Sequence, residues 1–309
     1  MENGTKMKKS EWLLLVVTLC WGSAYLLLKA AMEAVEPLML IGLRFMIGFL
    51  IAGAILYPRL RKATRRTVAL AAMQGALLFL ISVTVTFALK STSTANASFL
   101  LSLTVIFVPL LSATFLRQKL TPQLTAGIGF AIAGIGLMTL KMPLSMQPGD
   151  LLCMLAALIN ATYVLLTSRA AKEVDTINLG VLQLGFAGLF GLIFAGFMGQ
   201  LSLPSTGGGW GAILALAVVC SAFCYIAQPA AQKFTTASRA GLIFSMEPVF
   251  AAMFGFLVVG EMLSAQGYAG AALVLTGVLV SEYGARWLQA LRRRSRPQAQ
   301  PQPGPGMLP

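Results

Sequence analysis

Ten long apolar stretches, separated by short polar breaks, run along the 309-residue sequence. A helix needs about 20 apolar residues to cross the roughly 30 Å hydrocarbon layer of a bilayer, because lipid cannot satisfy exposed backbone groups. The breaks carry Pro, Gly and charged residues, which are typical of turns. The pattern therefore predicts ten transmembrane helices, at residues 12–32, 38–57, 67–89, 95–116, 123–141, 149–168, 178–198, 210–231, 239–260 and 266–288.

Composition excludes a water-soluble fold, because only 11% of the residues are charged and 57% are hydrophobic, whereas soluble domains carry about 25% charged residues. The sequence has no His, which removes the Ser-His-Asp and Cys-His triads and His-ligated zinc sites. The four Cys, at positions 20, 153, 220 and 224, all lie in predicted spans and are interpreted as packing residues. Cys220 and Cys224 lack a further thiolate or His for a metal site. We therefore expect no enzyme activity, no metal and no cofactor.

Basic residues are distributed unevenly between the two sides of the predicted bundle. Nineteen of the 23 Lys and Arg fall on the side that holds the N-terminus, and three fall on the other side. The positive-inside rule then places both termini in the cytoplasm of a multi-pass plasma or inner membrane protein. The net charge of +13 is explained by this topology, so nucleic acid is not expected as a partner.

Both ends of the chain carry basic clusters. Lys6, Lys8 and Lys9 imitate the start of a signal peptide, but the apolar stretch that follows exceeds the 7–15 residues of such a peptide, so we expect an uncleaved first helix. Residues 289–309 are predicted to be a disordered cytoplasmic tail, rich in basic residues, Pro and Gln. Its Arg cluster at 292–296 is suited to anionic lipid headgroups.

The sequence contains an internal repeat. Shifting it by 143 positions aligns 87–138 with 230–281 without a gap, and pairs Gly127 with Gly270 and Gly134 with Gly277. Earlier in each half, 23–28 resembles 161–166 at an offset of 138, which pairs Tyr25 with Tyr163. The prediction is two five-helix repeats, residues 11–142 and 149–288. Because five is odd, the second repeat enters the membrane from the opposite face, and inverted repeats of this kind support alternating access.

Several short motifs resemble the drug/metabolite transporter superfamily, EamA branch. They are Trp21-Gly22-Ser23 with Lys29, Leu43-Arg44-Phe45, the run from Leu89 to Ala95, and Glu247-Pro248-Val249-Phe250 with Gly260-Glu261. The resemblance covers about Glu11 to Trp287. It implies a ten-helix fold of two inverted repeats with a central cavity, and movement of small metabolites or toxic compounds, often outward. The sequence departs from symmetry where Val105 stands at the position equivalent to Pro248 and Pro109 follows one turn later.

Two charged residues lie within predicted spans, where insertion costs at least about 2.5–3.5 kcal/mol. Arg44 has two interpretations. It offers a positive charge to a substrate carboxylate, or it has a structural role, in an ion pair or by extending its charged group to the membrane interface. Glu247 is a candidate for binding a cationic group and for proton coupling. Pro248 frees a backbone carbonyl beside it, so Pro248 and Pro109 are candidate helix bends.

Neutral polar and aromatic residues in the spans complete the candidate substrate-binding set. Trp21 and Tyr25 share a helix face and could stack on a substrate or simply pack. The other candidates are Gln74, Asn96, Ser98, Ser102, Asn160, Tyr163, Gln183, Tyr225 and Ser245. Ala187, Gly191, Ala195 and Gly199 form a small-residue seam on the seventh span, which either seals the two halves or serves a homodimer.

The predicted function is secondary transport of a small metabolite or drug-like solute, such as an amino acid or amine, by alternating access. The sequence lacks a Gly-x-x-x-x-Gly-Lys-Ser/Thr phosphate loop, so ATP-driven pumping by this chain is not expected. The expected partners are a small-molecule substrate and membrane lipids. The alternatives are a lipid flippase and an integral membrane enzyme that acts on lipid.

Overall fold

Helices make up nearly all of the structure, a computed structural model that describes residues 2–91, 97, 100–115, 117, 120–139, 148–260 and 264–294. Within these ranges there is no strand. The helices are α1 (Glu2–Met32), α2 (Pro37–Ile55), α3 (Arg65–Ala88), α4 (Thr104–Phe115), α5 (Pro122–Thr139), α6 (Pro148–Glu173), α7 (Thr176–Phe197), α8 (Gly207–Gln232), α9 (Ala237–Val258) and α10 (Ala265–Arg294), with a single helical turn at Tyr57–Leu60.

Seven of these helices, α1 to α3 and α6 to α9, are long and apolar enough to cross a membrane. Three further apolar helical segments are shorter, at 10–17 residues each, namely Leu100–Phe115, Pro122–Leu137 and Ala265–Ser281. The sequence prediction of an all-helical, multi-pass membrane protein is therefore confirmed. Two of the helices are irregular, since α8 is π-helical over Leu216–Phe223 and α9 is interrupted at 245–246, directly before Glu247.

Polar caps mark where several helices begin. The side chains of Thr64, Asp175, Thr206 and Thr236 each accept a hydrogen bond from the backbone N–H three residues later, at 2.8 to 3.3 Å. Such a bond satisfies one of the four free N–H groups at a helix start. These caps explain why α3, α7, α8 and α9 begin where short polar segments meet apolar runs.

Helices α5 and α10 pack through glycines that are equivalent in the repeat. A Cβ atom placed on Gly127 would lie 2.5 Å from the carbonyl oxygen of Gly277, and one on Gly134 would lie 2.5 Å from that of Gly270. The earlier glycine of α5 meets the later glycine of α10, so the two helices run antiparallel. When each glycine is replaced by its repeat equivalent, the contact of Gly127 with Gly277 becomes the contact of Gly270 with Gly134. This interface therefore has a local two-fold pseudosymmetry.

The small-residue seam of α7 faces α2. Ala187, Gly191 and Ala195 are fully or nearly fully buried, and a Cβ on Gly191 would lie 2.6 Å from the backbone nitrogen of Gly42. Gly199 follows the end of α7, has a φ of +67° and is exposed. The seam thus joins the first half of the chain to the second within one molecule.

Ion pairs link the two halves at one end of the bundle, which we call the basic end. Arg239 on α9 donates to Glu11 on α1 at 3.1 Å, and Arg66 on α3 donates to Glu173 on α6 at 2.6 Å. Arg59 lies 3.5 Å from Asp175 in the same region. At the opposite end, the turn after α1 meets the loop before α8, where the N–H of Ser205 donates to the carbonyl of Ala34 at 3.1 Å.

Candidate functional site

A cavity lies at the middle of the bundle and reaches toward the end opposite the basic end. It measures about 100 Å³, which is room for about seven to ten water molecules. Helices from both halves of the chain contribute its lining residues, which are Trp21, Ala24, Tyr25, Leu28, Arg44, Ile81, Ser82, Val85, Thr86, Leu101, Asn160, Tyr225 and Glu247. This size and mixed polarity suit a small polar solute with an apolar part.

Arg44 projects into this cavity from α2 and is only 7% exposed. Its Nε donates to the hydroxyl of Ser221 on α8 at 3.1 Å, and its Cζ lies 4.6 Å from the ring centre of Phe45. No other hydrogen bond of the Arg44 side chain is found within the described residues. The two terminal nitrogens therefore remain available for a bidentate contact with a carboxylate or a similar anion.

Glu247 occupies the first turn of the second segment of α9, after the break at 245–246. The side chain of Tyr25 on α1 lines the same two cavities as Glu247. Pro248 follows and is buried, and a proline at this first-turn position is compatible with a new helix start. The break in α9 thus presents a carboxylate at mid-depth, in a cavity that Tyr25 from the other half of the chain also lines.

Arg44 and Glu247 line one cavity but do not pair with each other. The ion pairs among the described residues all lie at the basic end, and neither Arg44 nor Glu247 takes part in one. A buried charge without a counter-charge is destabilising. The cavity therefore carries a positive group on α2 and a separate negative group on α9, which a solute with both charges would complement.

Aromatic rings form one wall of the cavity. The ring of Trp21 lies 5.4 Å from that of Tyr225 and 5.3 Å from that of Phe244. Tyr225 in turn lies 5.9 Å from Phe45. The indole Nε1 of Trp21 donates to the carbonyl of Cys220 at 3.2 Å, which ties α1 to α8. The pairs lie within the 4.5–7 Å range of favourable ring contacts, so this wall is rigid and apolar.

Two further cavities lie near this one. The first, about 10 Å³, lies beside Glu247 and is lined by Ser102, Thr104, Asn160 and Ser245, which gives room for about one water molecule. The second, about 130 Å³, lies between α4 and α5 and shares Ser102 and Val105 with the first. Its remaining lining is Leu103, Ile106, Ile132, Ile135 and Gly136, so it is almost wholly apolar.

A buried polar network lies behind the cavity, toward the basic end. The hydroxyl of Tyr163 contacts the amide oxygens of Gln183 at 3.0 Å and Gln228 at 3.3 Å. The amide nitrogen of Gln74 donates to the hydroxyl of Thr167 at 2.8 Å. Several amide atoms in this region have no partner among the described residues, namely Gln74 Oε1, Gln228 Nε2 and both side-chain polar atoms of Gln232. Each such atom costs about 1–3 kcal/mol when it is buried.

Three of the four cysteines lie together beside the aromatic wall. Cys220 Sγ lies 3.3 Å from the carbonyl oxygen of Cys20, and the thiol of Cys224 donates to the carbonyl of Val219 at 3.2 Å. Cys20 is thus a neighbour of Cys220 that the sequence pattern alone did not indicate. Among the described residues, no group of three His, Cys, Asp or Glu side chains could hold a metal ion.

The predicted substrate-binding residues fall into three groups. Six line the cavity, namely Trp21, Tyr25, Arg44, Asn160, Tyr225 and Glu247. Ser102 and Ser245 line the small cavity beside it, while Gln74, Tyr163 and Gln183 belong to the network behind it. Asn96 and Ser98 lie outside the described residues, as do the side chains of the Arg cluster near the C-terminus. Pro109 lies inside the continuous helix α4.

Three residues of the site, Ser82, Thr86 and Ser221, were not predicted from the sequence. Ser82 and Thr86 line the cavity from α3, and their spacing of four residues places them on one face, which is the signal that could have identified them. Ser221 orients Arg44, but its contact spans 177 positions of sequence and no local pattern indicates it.

Comparison with known proteins gives consistent results. The sequence profile of the EamA-like transporter family matches residues 8–140 and 147–283. An uncharacterized transporter of Archaeoglobus fulgidus is 23% identical over 287 residues, which cover 88% of this chain and 97% of that protein. The uncharacterized transporter YoaV of Bacillus subtilis is 23% identical over 280 residues, which cover 86% and 94%. A crystal structure of another protein aligns with a TM-score of 0.77 at 20% identity, over 91% of this chain and 99% of that one, and so shares the fold.

Proposed function

Since this chain belongs to the EamA-like transporter family, we propose that it is a secondary transporter that moves a small solute by alternating access. The observation that carries the proposal is the central cavity, where Arg44 and Glu247 present opposite charges without pairing. Its relatives are named transporters, which supports transport rather than chemistry on the solute.

The proposed architecture is ten spans in two inverted five-helix repeats. The reciprocal contacts of Gly127 with Gly277 and of Gly134 with Gly270 support it, because a two-fold exchange of the repeats reproduces them. The family profile also matches once in each half. Inverted repeats around a midplane site allow each half to adopt the conformation of the other, which alternately exposes the site to the two sides.

The cavity reaches one end of the bundle, and ion pairs hold the other end together, as expected for a transporter that is open to one side at a time. The cavity reaches Leu28 and Thr86, which lie close to the ends of α1 and α3 opposite the basic end. The basic end is held by the three ion pairs between the halves. We place the basic end in the cytoplasm of a plasma or inner membrane, by the positive-inside rule, so this conformation is open to the outside.

The proposed solute is small and carries both a carboxylate and an amine, as an amino acid does. The free terminal nitrogens of Arg44 suit the carboxylate, and Glu247 suits the ammonium group. The rings of Trp21 and Tyr225 provide an apolar surface for a side chain. Protonation of Glu247 would cancel its attraction for the amine, so uptake of a proton there couples release of the solute to a proton gradient.

A ligand screen by thermal shift tests this assignment, using simple carboxylates, simple amines and neutral amino acids on the full chain. A ligand at 100 times its Kd stabilises the folded state by about 2.7 kcal/mol. We expect amino acids to stabilise the wild type most, Glu247→Gln to abolish stabilisation by amines only, and Arg44→Gln to abolish stabilisation by carboxylates only. Equal responses of all three proteins to all three classes would contradict the assignment.

A lipid flippase remains the second candidate, and one observation favours it. The apolar cavity between α4 and α5 shares Ser102 and Val105 with the small cavity beside Glu247, which places an apolar recess next to the site. Fluorescent phospholipid analogues in proteoliposomes, quenched from outside with dithionite, distinguish the two. A flippase makes all of the analogue accessible, whereas a solute transporter leaves the inner leaflet protected.

A further inference from the structure

The polar network behind the cavity follows the same order on two helices, α3 and α6. On α3, Gln74 lies between Ser82 of the cavity and Arg66 at the basic end. On α6, Thr167 lies between the cavity residue Asn160 and Glu173 at the basic end. Seven or eight residues of helix separate network from cavity on these helices, which is about 10–12 Å. The network therefore occupies the part of the bundle between the cavity and the basic end.

The network has more hydrogen-bonding capacity than it uses. Gln74, Gln228 and Gln232 are fully buried, yet each has at least one amide atom that no described residue contacts. Neighbouring helices could have closed this region with apolar side chains, as they do elsewhere in the bundle. Buried polar groups are normally satisfied, so these amides indicate a region that serves a polar ligand or water in another conformation.

The repeat relates this network to the open cavity. Tyr25 lines the cavity together with Glu247 of α9, and its repeat equivalent Tyr163 bonds to Gln183 and Gln228 in the network. In an inverted repeat, equivalent residues exchange environments when the two halves exchange conformations. Tyr163 is thus placed to line an aqueous cavity in the state where the cavity beside Tyr25 closes.

The ion pairs of the basic end close the region above this network. Arg66 and Glu173 join α3 to α6 at 2.6 Å, and these two helices carry Gln74 and Thr167. Glu11 and Arg239 join α1 to α9 at 3.1 Å. Opening the basic end requires that these pairs separate, which would expose the amides to water from that side.

We propose that Gln74, Gln228, Gln232 and Tyr163 form a second, inner binding site for the polar groups of the solute, closed in this conformation. The site is neutral, unlike the cavity with its Arg44 and Glu247, so it can accept both a carboxylate and an ammonium group by hydrogen bonds without holding either strongly. A solute passes from the charged site to the neutral one before release at the basic end. The proposal rests on the proposed transport function and extends it.

Thiol labelling of the full chain in lipid nanodiscs, with all four native Cys replaced by Ala, tests this site. The probe is a membrane-impermeant methanethiosulfonate, applied to Gln74→Cys and Gln228→Cys as inner positions and to Ser82→Cys as the cavity position. Met73→Cys is the matched control, because Met73 precedes Gln74 on α3 but is 40% exposed on the outer surface of the bundle. Elution as a single peak in size exclusion checks the fold of each variant.

We expect Ser82→Cys to react readily and both inner positions to react slowly. Adding Arg66→Gln and Arg239→Gln should raise the labelling rate of the inner positions at least about fivefold, while Met73→Cys stays unreactive. The proposal of an inner site is contradicted if the inner positions remain unreactive after the ion pairs are removed, or if they react no faster than Met73→Cys. If Ser82→Cys itself does not react, the failure lies with the water-filled cavity and hence with the proposed transport function.

Discussion

Gly127 on α5 and Gly277 on α10 bring their backbones into direct contact, since a Cβ on either glycine would lie 2.4 or 2.5 Å from the other's carbonyl oxygen. No real side-chain carbon tolerates such a distance, so both positions require glycine. The contact lies at the interface between the two halves of the chain, where the equivalent pair Gly134 and Gly270 repeats it. The stability of the two-fold arrangement therefore depends on these positions.

Substitution of Gly127 by Val is expected to destabilise the protein. Overpacking of a close interface typically costs about 1–3 kcal/mol, and here the obstructing atom belongs to backbone. Gly129→Val is the matched control on the same helix, because a Cβ there has nothing within 4 Å. Thermal unfolding in detergent should show a lower Tm for Gly127→Val only, and equal Tm values for the two variants would contradict the proposed packing.

Replacing Glu247 by Gln keeps the shape of the side chain but removes the charge and the site of protonation. We expect solute flux to lose its response to an imposed pH gradient. The measurement is the fluorescence of pyranine inside proteoliposomes when a neutral amino acid mixture is added outside. Glu36→Gln, at an exposed position before α2, is the control and should behave as wild type. A Glu247→Gln variant with unchanged proton movement would exclude coupling at this residue.

Arg44→Gln should weaken carboxylate binding strongly, because it removes a charge-assisted bidentate contact. Hydrogen bonds to charged groups contribute about 1.5–3 kcal/mol, which corresponds to a rise in Kd of about 10- to 150-fold. Ser221→Ala leaves the charge but removes the bond that orients Nε, so its effect should be smaller. Calorimetric titration with a neutral amino acid measures both. If Ser221→Ala is the more damaging change, Arg44 acts in packing and not in recognition.

The ion pairs of the basic end should differ in their effect on stability. Glu11 and Arg239 have side chains that are 11% and 27% exposed, against 41% and 68% for Glu173 and Arg66. Exposed pairs contribute at most about 1 kcal/mol, and burial reduces solvent screening. Glu11→Gln is therefore expected to lower the Tm more than Glu173→Gln does, and to respond less to added salt. The reverse order would show that the basic end is held mainly by α3 and α6.

Much of the fold follows from local sequence signals. Apolar runs of sufficient length predict the helices, and the observed α2, α3 and α7 (Pro37–Ile55, Arg65–Ala88 and Thr176–Phe197) lie within a few residues of the predicted spans. The break in α9 falls immediately before the Glu247-Pro248 pair that suggested an irregular helix. The π-helical stretch Leu216–Phe223 was not predicted. A π-helix has about one more residue per turn than an α-helix, and this difference does not change the hydropathy of the segment, on which the prediction rests.

The arrangement of the site follows less completely from the sequence. Gln74, Tyr163 and Gln183 are of the residue types that line polar cavities, but they lie in the network between the cavity and the basic end. Which polar residues meet depends on packing between distant segments, as the contact of Arg44 with Ser221 across 177 positions illustrates. Sequence periodicity therefore identifies which polar residues lie in the membrane, but not which of them share a cavity.

Flux of a radiolabelled neutral amino acid into proteoliposomes preloaded with the unlabelled compound tests the transport function most directly. The account predicts protein-dependent accumulation of chemically unchanged label, abolished in Arg44→Gln and strongly reduced in Glu247→Gln, with Glu36→Gln equal to wild type. Accumulation that is the same in all four proteins, or chemical conversion of the label by the wild type, would contradict it.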